Sequence, residues 1–164
     1  MNFVIREPSP ADAAAIAALN VSTWRETYSH LLPDGFFSPE FAQNRRDMWN
    51  HVLANPHPER TVRVAEVDGE LVGFGFAGPS FGAEGEVLPR DRHLYSLYVS
   101  GSQHGTGVGQ ALFDAVLHDE PAMLWVATEN PRAIAFYERN GFAFDGREQV
   151  DPLAPGIVEA RMIR

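Results

Sequence analysis

The stretch LYVSGSQHGTGVGQALFDAVL, residues 97 to 117, runs from strand-like apolar letters through glycines at 105, 107 and 109 into a pattern with helical spacing. Val108, Ala111, Leu112, Ala115 and Val116 recur at the i, i+3, i+4, i+7 and i+8 positions of one helix face, which needs a sheet to pack on. A strand that stops at Val99 and a helix that opens at Gly107 leave the first helical N–H groups without partners in the helix. Glycines let the backbone approach a ligand, and the helix dipole favours negative charge at that end. The junction therefore suits a pyrophosphate.

Several folds build such a junction. A P-loop ends in Gly-Lys-Ser/Thr, and this chain has no lysine; all 13 basic residues are arginine. A Rossmann fingerprint lies at a first strand and reads G-x-G-x-x-G, whereas the sixth position counted from Gly105 is Gln110, late in the chain. The pyrophosphate of coenzyme A is the third reading, and a turn that merely joins strand to helix is the plain alternative.

On the amino-terminal side, NFVIREPS reads as a first strand ended by prolines, and PADAAAIAALNVSTW as a helix with Asp12 near its start. A second helical piece carries Trp24 and Tyr28, four residues apart and so on one face. Residues 40 to 53 form another helix on the spacing of Phe41, Arg45, Met48 and Val52, and NPHPE breaks it. TVRVAEVDGELVGFGFAG alternates apolar letters on both sides of Asp68-Gly69, a tight hairpin signal. RHLYSLYVS is then a strand rich in aromatic and branched residues. Beyond the central stretch, AMLWVAT is a strand, and ENPRAIAFYERNGF a helix with Asn130 as N-cap, Pro131 at the first helical position and Gly141 at the exit. FAFDGREQV and GIVEARMIR close the chain as two strands. The whole is a mixed sheet with helices packed on it, an α/β (α+β mixed) class, and its 164 residues are read as a single domain.

Composition trims the chemistry. With no cysteine there is no disulfide, thiolate–zinc site or cysteine nucleophile, and with no lysine there is no Schiff base. A formal charge of −9 argues against a nucleic-acid surface and is compatible with a cationic substrate. No metal site is expected, because the six histidines show no ligating spacing. The start lacks a signal-peptide pattern, and no apolar run approaches the roughly 20 residues that span a bilayer. A soluble, cytoplasmic protein without a membrane partner is expected.

Taken together, LYSLYVSGSQHGTGVGQAL and LWVATENPRAIAFYERNGF resemble the GNAT family, the GCN5-related N-acetyltransferases, and IREPSPADAAAIAALNVSTWRETYSHLLP is similar to the amino-terminal region of many bacterial members. The family's Q/R-x-x-G-x-G/A motif falls on His104, Gly105, Thr106, Gly107, Val108 and Gly109, with histidine as a departure at the first position. The resemblance implies a strongly twisted, mostly antiparallel sheet with two splayed central strands and helices on both faces. It implies that Leu97, Tyr98 and Val99 pair with the pantetheine arm of acetyl-CoA like an added strand, and that residues 104 to 110, including Gln110, hold its pyrophosphate. Asn130 would add a hydrogen bond to the arm, and Arg132 is either a phosphate contact or a plain surface arginine.

Acyl transfer to an amine has two proton problems: an ammonium of pKa about 10.4 must lose a proton, and a departing thiolate, with a conjugate-acid pKa of about 8.5, gains one. Tyr137 matches the family's tyrosine near the sulfur and is the expected general acid. His93 stands where many relatives carry a carboxylate and is the candidate base, with a strand-end histidine or water-mediated deprotonation as alternatives. Trp24 and Tyr28 border the acceptor pocket by the same resemblance. Trp125 replaces the glutamate that protein amino-terminal acetyltransferases carry five residues before the asparagine. The expectation is direct acetyl transfer to a small-molecule amine. Protein amino-terminal or side-chain amines and a non-catalytic acyl-CoA sensor are the alternatives, and a homodimer is compatible.

Overall fold

The computed structural model describes residues 2–164. Seven strands form one sheet in the order β1-β2-β3-β4-β5-β7-β6, where β1 is Val4–Arg6, β2 Thr61–Val67, β3 Glu70–Pro79, β4 Arg92–Val99, β5 Met123–Ala127, β6 Ala143–Val150 and β7 Val158–Ile163. All neighbours are antiparallel except β4 and β5, which are parallel. Four α-helices cover it: α1 (Ala13–Tyr28), α2 (Pro39–Ala54), α3 (Val108–Leu117) and α4 (Pro131–Arg139). The mixed, mostly antiparallel architecture inferred from the sequence is present. One boundary differs: the two pieces expected around Trp24 are the single helix α1, because nothing between Ala13 and Tyr28 breaks it.

Strand alternation sorts the core onto two faces. Val64, Phe74 and Phe76 meet Ile16 of α1 and Trp49 of α2 on one face. Ala77, Leu94, Leu124, Val126 and Met162 meet Phe113 and Val116 of α3 and Tyr137 of α4 on the other. Asp68 and Gly69, at φ 51° and 85°, make the hairpin turn between β2 and β3, as their order predicts. Gly73 and Gly75 present no side chain to α3. A Cβ on Gly73 would sit 2.9 Å from the Tyr98 carbonyl oxygen and 3.0 Å from Leu112, and one on Gly75 would sit 3.2 Å from Val116. Their absence lets α3 lie against β3 and brings its amino terminus to the end of β4.

The sheet opens between β4 and β5. Only His93↔Met123 and Leu94↔Leu124 pair there. Immediately afterwards the β3–β4 register slips, with Ala77 opposite Leu94 but Phe76 opposite Ser96, so Tyr95 is an extra residue on β4. A bulge bends its strand and increases the local twist. Here it turns the carboxyl half of β4 away from β5, leaving Leu97 to Val99 with a partner on the β3 side alone. None of the described helices is long and apolar enough to cross a membrane.

Candidate active site

The gap between the splayed strands is a cleft of about 1140 Å³. Leu97, Tyr98 and Val99 line one wall, Gly105, Gly107, Gly109 and Gln110 its floor, and Asn130, Phe136 and Tyr137 the opposite wall. Ser100 donates its N–H to the Val72 carbonyl at 2.8 Å. Hydrogen-bonded and non-bonded pairs alternate along an antiparallel ladder, so Tyr98 turns its main chain to Phe74 while Leu97 and Val99 turn theirs into the cleft. An extended chain laid there has a ready-made edge to pair with.

At the floor, Ala111 donates its N–H to Gly107, which begins the helical ladder. The N–H groups of Gly105, Gly107, Val108, Gly109 and Gln110 have no acceptor among the described residues. Gly105 and Gly107 adopt φ of 79° and 93°, a region that side chains other than glycine rarely occupy, and nothing stands within 4 Å of where their Cβ atoms would be. Open space, unpaired donors and a helix amino terminus together fit a diphosphate. His104, the departure from the family motif, is exposed, and its Nε2 lies 3.1 Å from the Val99 carbonyl oxygen. Its ring thus ties the loop to the end of β4, while Thr106 binds the Gln103 carbonyl with its hydroxyl. Arg132 and Arg139 of α4 also line the cleft and add positive charge. Arg139 was not singled out from the sequence, where it looks like any basic residue in the last turn of a helix.

Beyond Tyr137 the cleft continues into a narrow slot of about 90 Å³. Trp24 and Tyr28, Ser96 and Tyr98, Trp125, Asp151 and Glu159 line it, and Asn130 and Tyr137 are shared by both spaces. Trp24 donates its indole N–H to the Tyr98 hydroxyl at 2.8 Å, and its ring lies 5.3 Å from that of Tyr28, edge to face. Phe36 stacks on Trp24 from the α1–α2 connection. The Asn130 side chain makes two bonds in the fold: Oδ1 accepts from the Ala133 N–H at 3.2 Å as the N-cap, and Nδ2 donates to the Tyr28 hydroxyl at 3.2 Å, which leaves its second N–H for a ligand. Tyr137 is 8% exposed, and its hydroxyl makes no hydrogen bond among the described residues. Burial pushes that phenol well above its ordinary value, so it stays protonated and able to donate.

His93 lies elsewhere. It sits at the start of β4, 5% exposed, its ring stacked on Phe81 at 5.0 Å, and it lines neither space. Burial pulls it down to about 4, and its Nδ1 has no partner among the described residues. The alternation of β4 explains the distance: His93 precedes the bulge, and the strand reaches the cleft after it. The sequence did not single out Asp151 and Glu159, which read as surface charges there.

The acetyltransferase (GNAT) family matches residues 21–142 of the chain. The probable N-acetyltransferase Rv2775 of Mycobacterium tuberculosis is 28% identical over 160 residues, covering 89% of this chain and 83% of its own length. The peptidyl-lysine N-acetyltransferase YjaB of Escherichia coli is 33% identical over 119 residues, covering 72% of this chain and 71% of its own. Among solved structures, the PaiA N-acetyltransferase of Thermoplasma acidophilum, crystallised with coenzyme A, has the same fold with a TM-score of 0.73 at 16% identity, over 98% of both chains. The chain belongs to the GNAT family of acetyltransferases, enzymes that take their acetyl group from acetyl-CoA.

Proposed function

We propose that this acetyltransferase acts as a single domain on a small-molecule primary amine, with the donor's arm along β4 and the acceptor's amine in the slot beyond Tyr137. The slot carries the primary-amine part of this reading: about 90 Å³ lined by Trp24, Tyr28 and Trp125 suits a slender amine-bearing chain. Leu97 and Val99 offer main-chain groups to the pantetheine arm, and the amides of Gly105 and of residues 107 to 110 receive the diphosphate. The Val108 side chain supports this floor from the core, being fully buried against Ala65 and Leu112, while its amide faces the ligand with the others. Acetyl-CoA supplies an activated thioester whose carbonyl carbon is open to attack.

The protein's own residues govern protons and position. Tyr137 donates toward the sulfur as negative charge develops there. A phenol of pKa about 10 facing a thiol of about 8.5 is only slightly mismatched, and a dry site disfavours both anions, so the gap stays small. Asn130 anchors α4 and holds Tyr28 in the slot wall, while Trp24, fixed by Tyr98, closes the side. His93 takes no part in this reading.

A lysine side chain on a peptide is the second reading, favoured by the relative named as a peptidyl-lysine acetyltransferase. A panel of small amines and lysine peptides, followed by release of free CoA, tests the choice. Faster turnover of small amines is expected. Turnover confined to peptides would replace this reading with the second, and no heat of binding on titration with acetyl-CoA would remove both.

A further inference from the structure

The acceptor end of the slot carries two carboxylates and no cation to match them. Alternation along β7 places Glu159 opposite Ala127 of β5 and Gln149 of β6. It therefore shares a sheet face with Trp125 rather than with the Met162 side of the core. The small alanine leaves it room. Its Oε1 accepts from Gln149 Nε2 at 2.7 Å, and it forms no salt bridge among the described residues. Arg161, two residues along the same strand, is already committed: Nε donates to Asp145 at 2.6 Å and NH1 lies 3.5 Å from Glu86.

Three ionisable groups bear on Glu159 or on the carboxylate beside it. Asp151, from the β6–β7 connection, is a like charge; its Oδ1 accepts the N–H groups of Leu153 and Ala154 and so shapes that turn. Tyr28, from α1, is neutral and accepts from Asn130. Arg45, from α2, acts on Asp151 from outside the slot without forming an ion pair. Acidic side chains alone would make no site. A second observation points to a ligand in the same space: Tyr137, 8% exposed, lines both the cleft and this slot, and its hydroxyl has no hydrogen-bond partner among the described residues.

We propose that Glu159, with Asp151 beside it, forms the anionic end of the acceptor slot, selecting a cationic primary amine and taking the proton that its ammonium group must lose. This rests on the acetyltransferase reading above. The step balances: the ammonium N–H bond breaks to Glu159, the freed lone pair forms the N–C bond to the thioester carbonyl, and the C–S bond breaks. The sulfur takes the Tyr137 proton, and the second proton shed by the new amide restores the phenol. Burial and Asp151 raise the affinity of Glu159 for a proton, which suits a group that must accept one near neutral pH.

The test uses acetyl-CoA with cadaverine as the cationic probe and methoxyamine as a slender amine that is uncharged at neutral pH. Glu159→Gln keeps a partner for Gln149 and removes only the charge. In this variant acetyl-CoA binding by calorimetry should stay within twofold of the unaltered protein. kcat/KM for cadaverine should fall at least tenfold with loss of its acid limb, methoxyamine turnover should fall far less, and Glu159→Asp should recover part of the cadaverine rate. Cadaverine turnover within threefold of the unaltered enzyme, equal losses for both amines, or an unaltered enzyme that acetylates methoxyamine but no cationic amine would each overturn the proposal. An unaltered protein that fails to bind acetyl-CoA would overturn the reading beneath it instead.

Discussion

Tyr137→Phe separates chemistry from folding at one atom. The Tyr137 ring packs between Phe136 and Phe142, with centroids 5.5 and 5.9 Å away, and phenylalanine keeps those contacts. The hydroxyl has no partner among the described residues, so its removal strands no donor or acceptor there. A buried hydroxyl without a protein partner contributes nothing to stability, and its loss is neutral or gains up to about 1 kcal/mol. For a chain of this size that corresponds to a melting shift between zero and about +4 °C. If the same hydroxyl stabilises charge on the departing sulfur, its loss should cost about 10²-fold in kcat, or about 2.7 kcal/mol of transition-state stabilisation. The affinity for acetyl-CoA should not change. Tyr28→Phe is the matched control: its hydroxyl accepts from Asn130, so that variant should lose about 1 kcal/mol of stability and melt lower. Calorimetric melting and a thiol-release assay read both variants. Full turnover in Tyr137→Phe would remove the hydroxyl from the reaction, and a protein that melts several degrees below the parent would show that the hydroxyl serves the fold.

Gly107→Ala should also act on two scales. At φ 93° with empty space around it, the added methyl brings strain of about 1–2 kcal/mol but no clash, a melting loss of about 2–8 °C, and a weaker acetyl-CoA affinity by calorimetry because it crowds the unpaired amides. His93 should shape stability rather than rate. Its folded pKa of about 4 lies below the unfolded value of about 6.5, so the unfolded chain binds the extra proton. Its neutral form supports folding in full above about pH 6.5, and up to about 3 kcal/mol of that is lost as pH falls toward 4. Urea midpoints should therefore drop across that window in the parent and much less in His93→Phe, while the pH profile of kcat above 6.5 stays the same in both.

The elements were legible wherever a local signal fixed them. Asp68-Gly69 announced the hairpin because its turn needs two residues of positive φ, and Asn130-Pro131 announced α4 because a cap and a fixed φ both favour a helix start. The glycine floor was legible for the same reason, since the amides left free at a helix start follow from chain geometry alone. The split was not, because β4 and β5 read as two ordinary apolar strands, and their parting depends on one extra residue, Tyr95, set by pairing with β3. Nor could His93 be separated from the site by inspection. It lies only four residues before Leu97, but the bulge intervenes and its ring goes to Phe81.

Glu159 shows what kind of signal was there to be found. In Val158-Glu159-Ala160-Arg161-Met162, period two puts both charged residues on one face, and a reader without coordinates assigns that face to solvent. Arg161 is nevertheless only 7% exposed and lies over Trp125, with its carbon Cζ 5.7 Å from the ring centroid. A face that buries an arginine is not a solvent face. Once Asp145 and Glu86 are seen to neutralise that arginine, the neighbouring glutamate is left half-buried with a like charge beside it, an arrangement that folding alone disfavours. On the reading proposed above, the ligand that completes this charge brings a positive group on a slender stem into a slot of about 90 Å³.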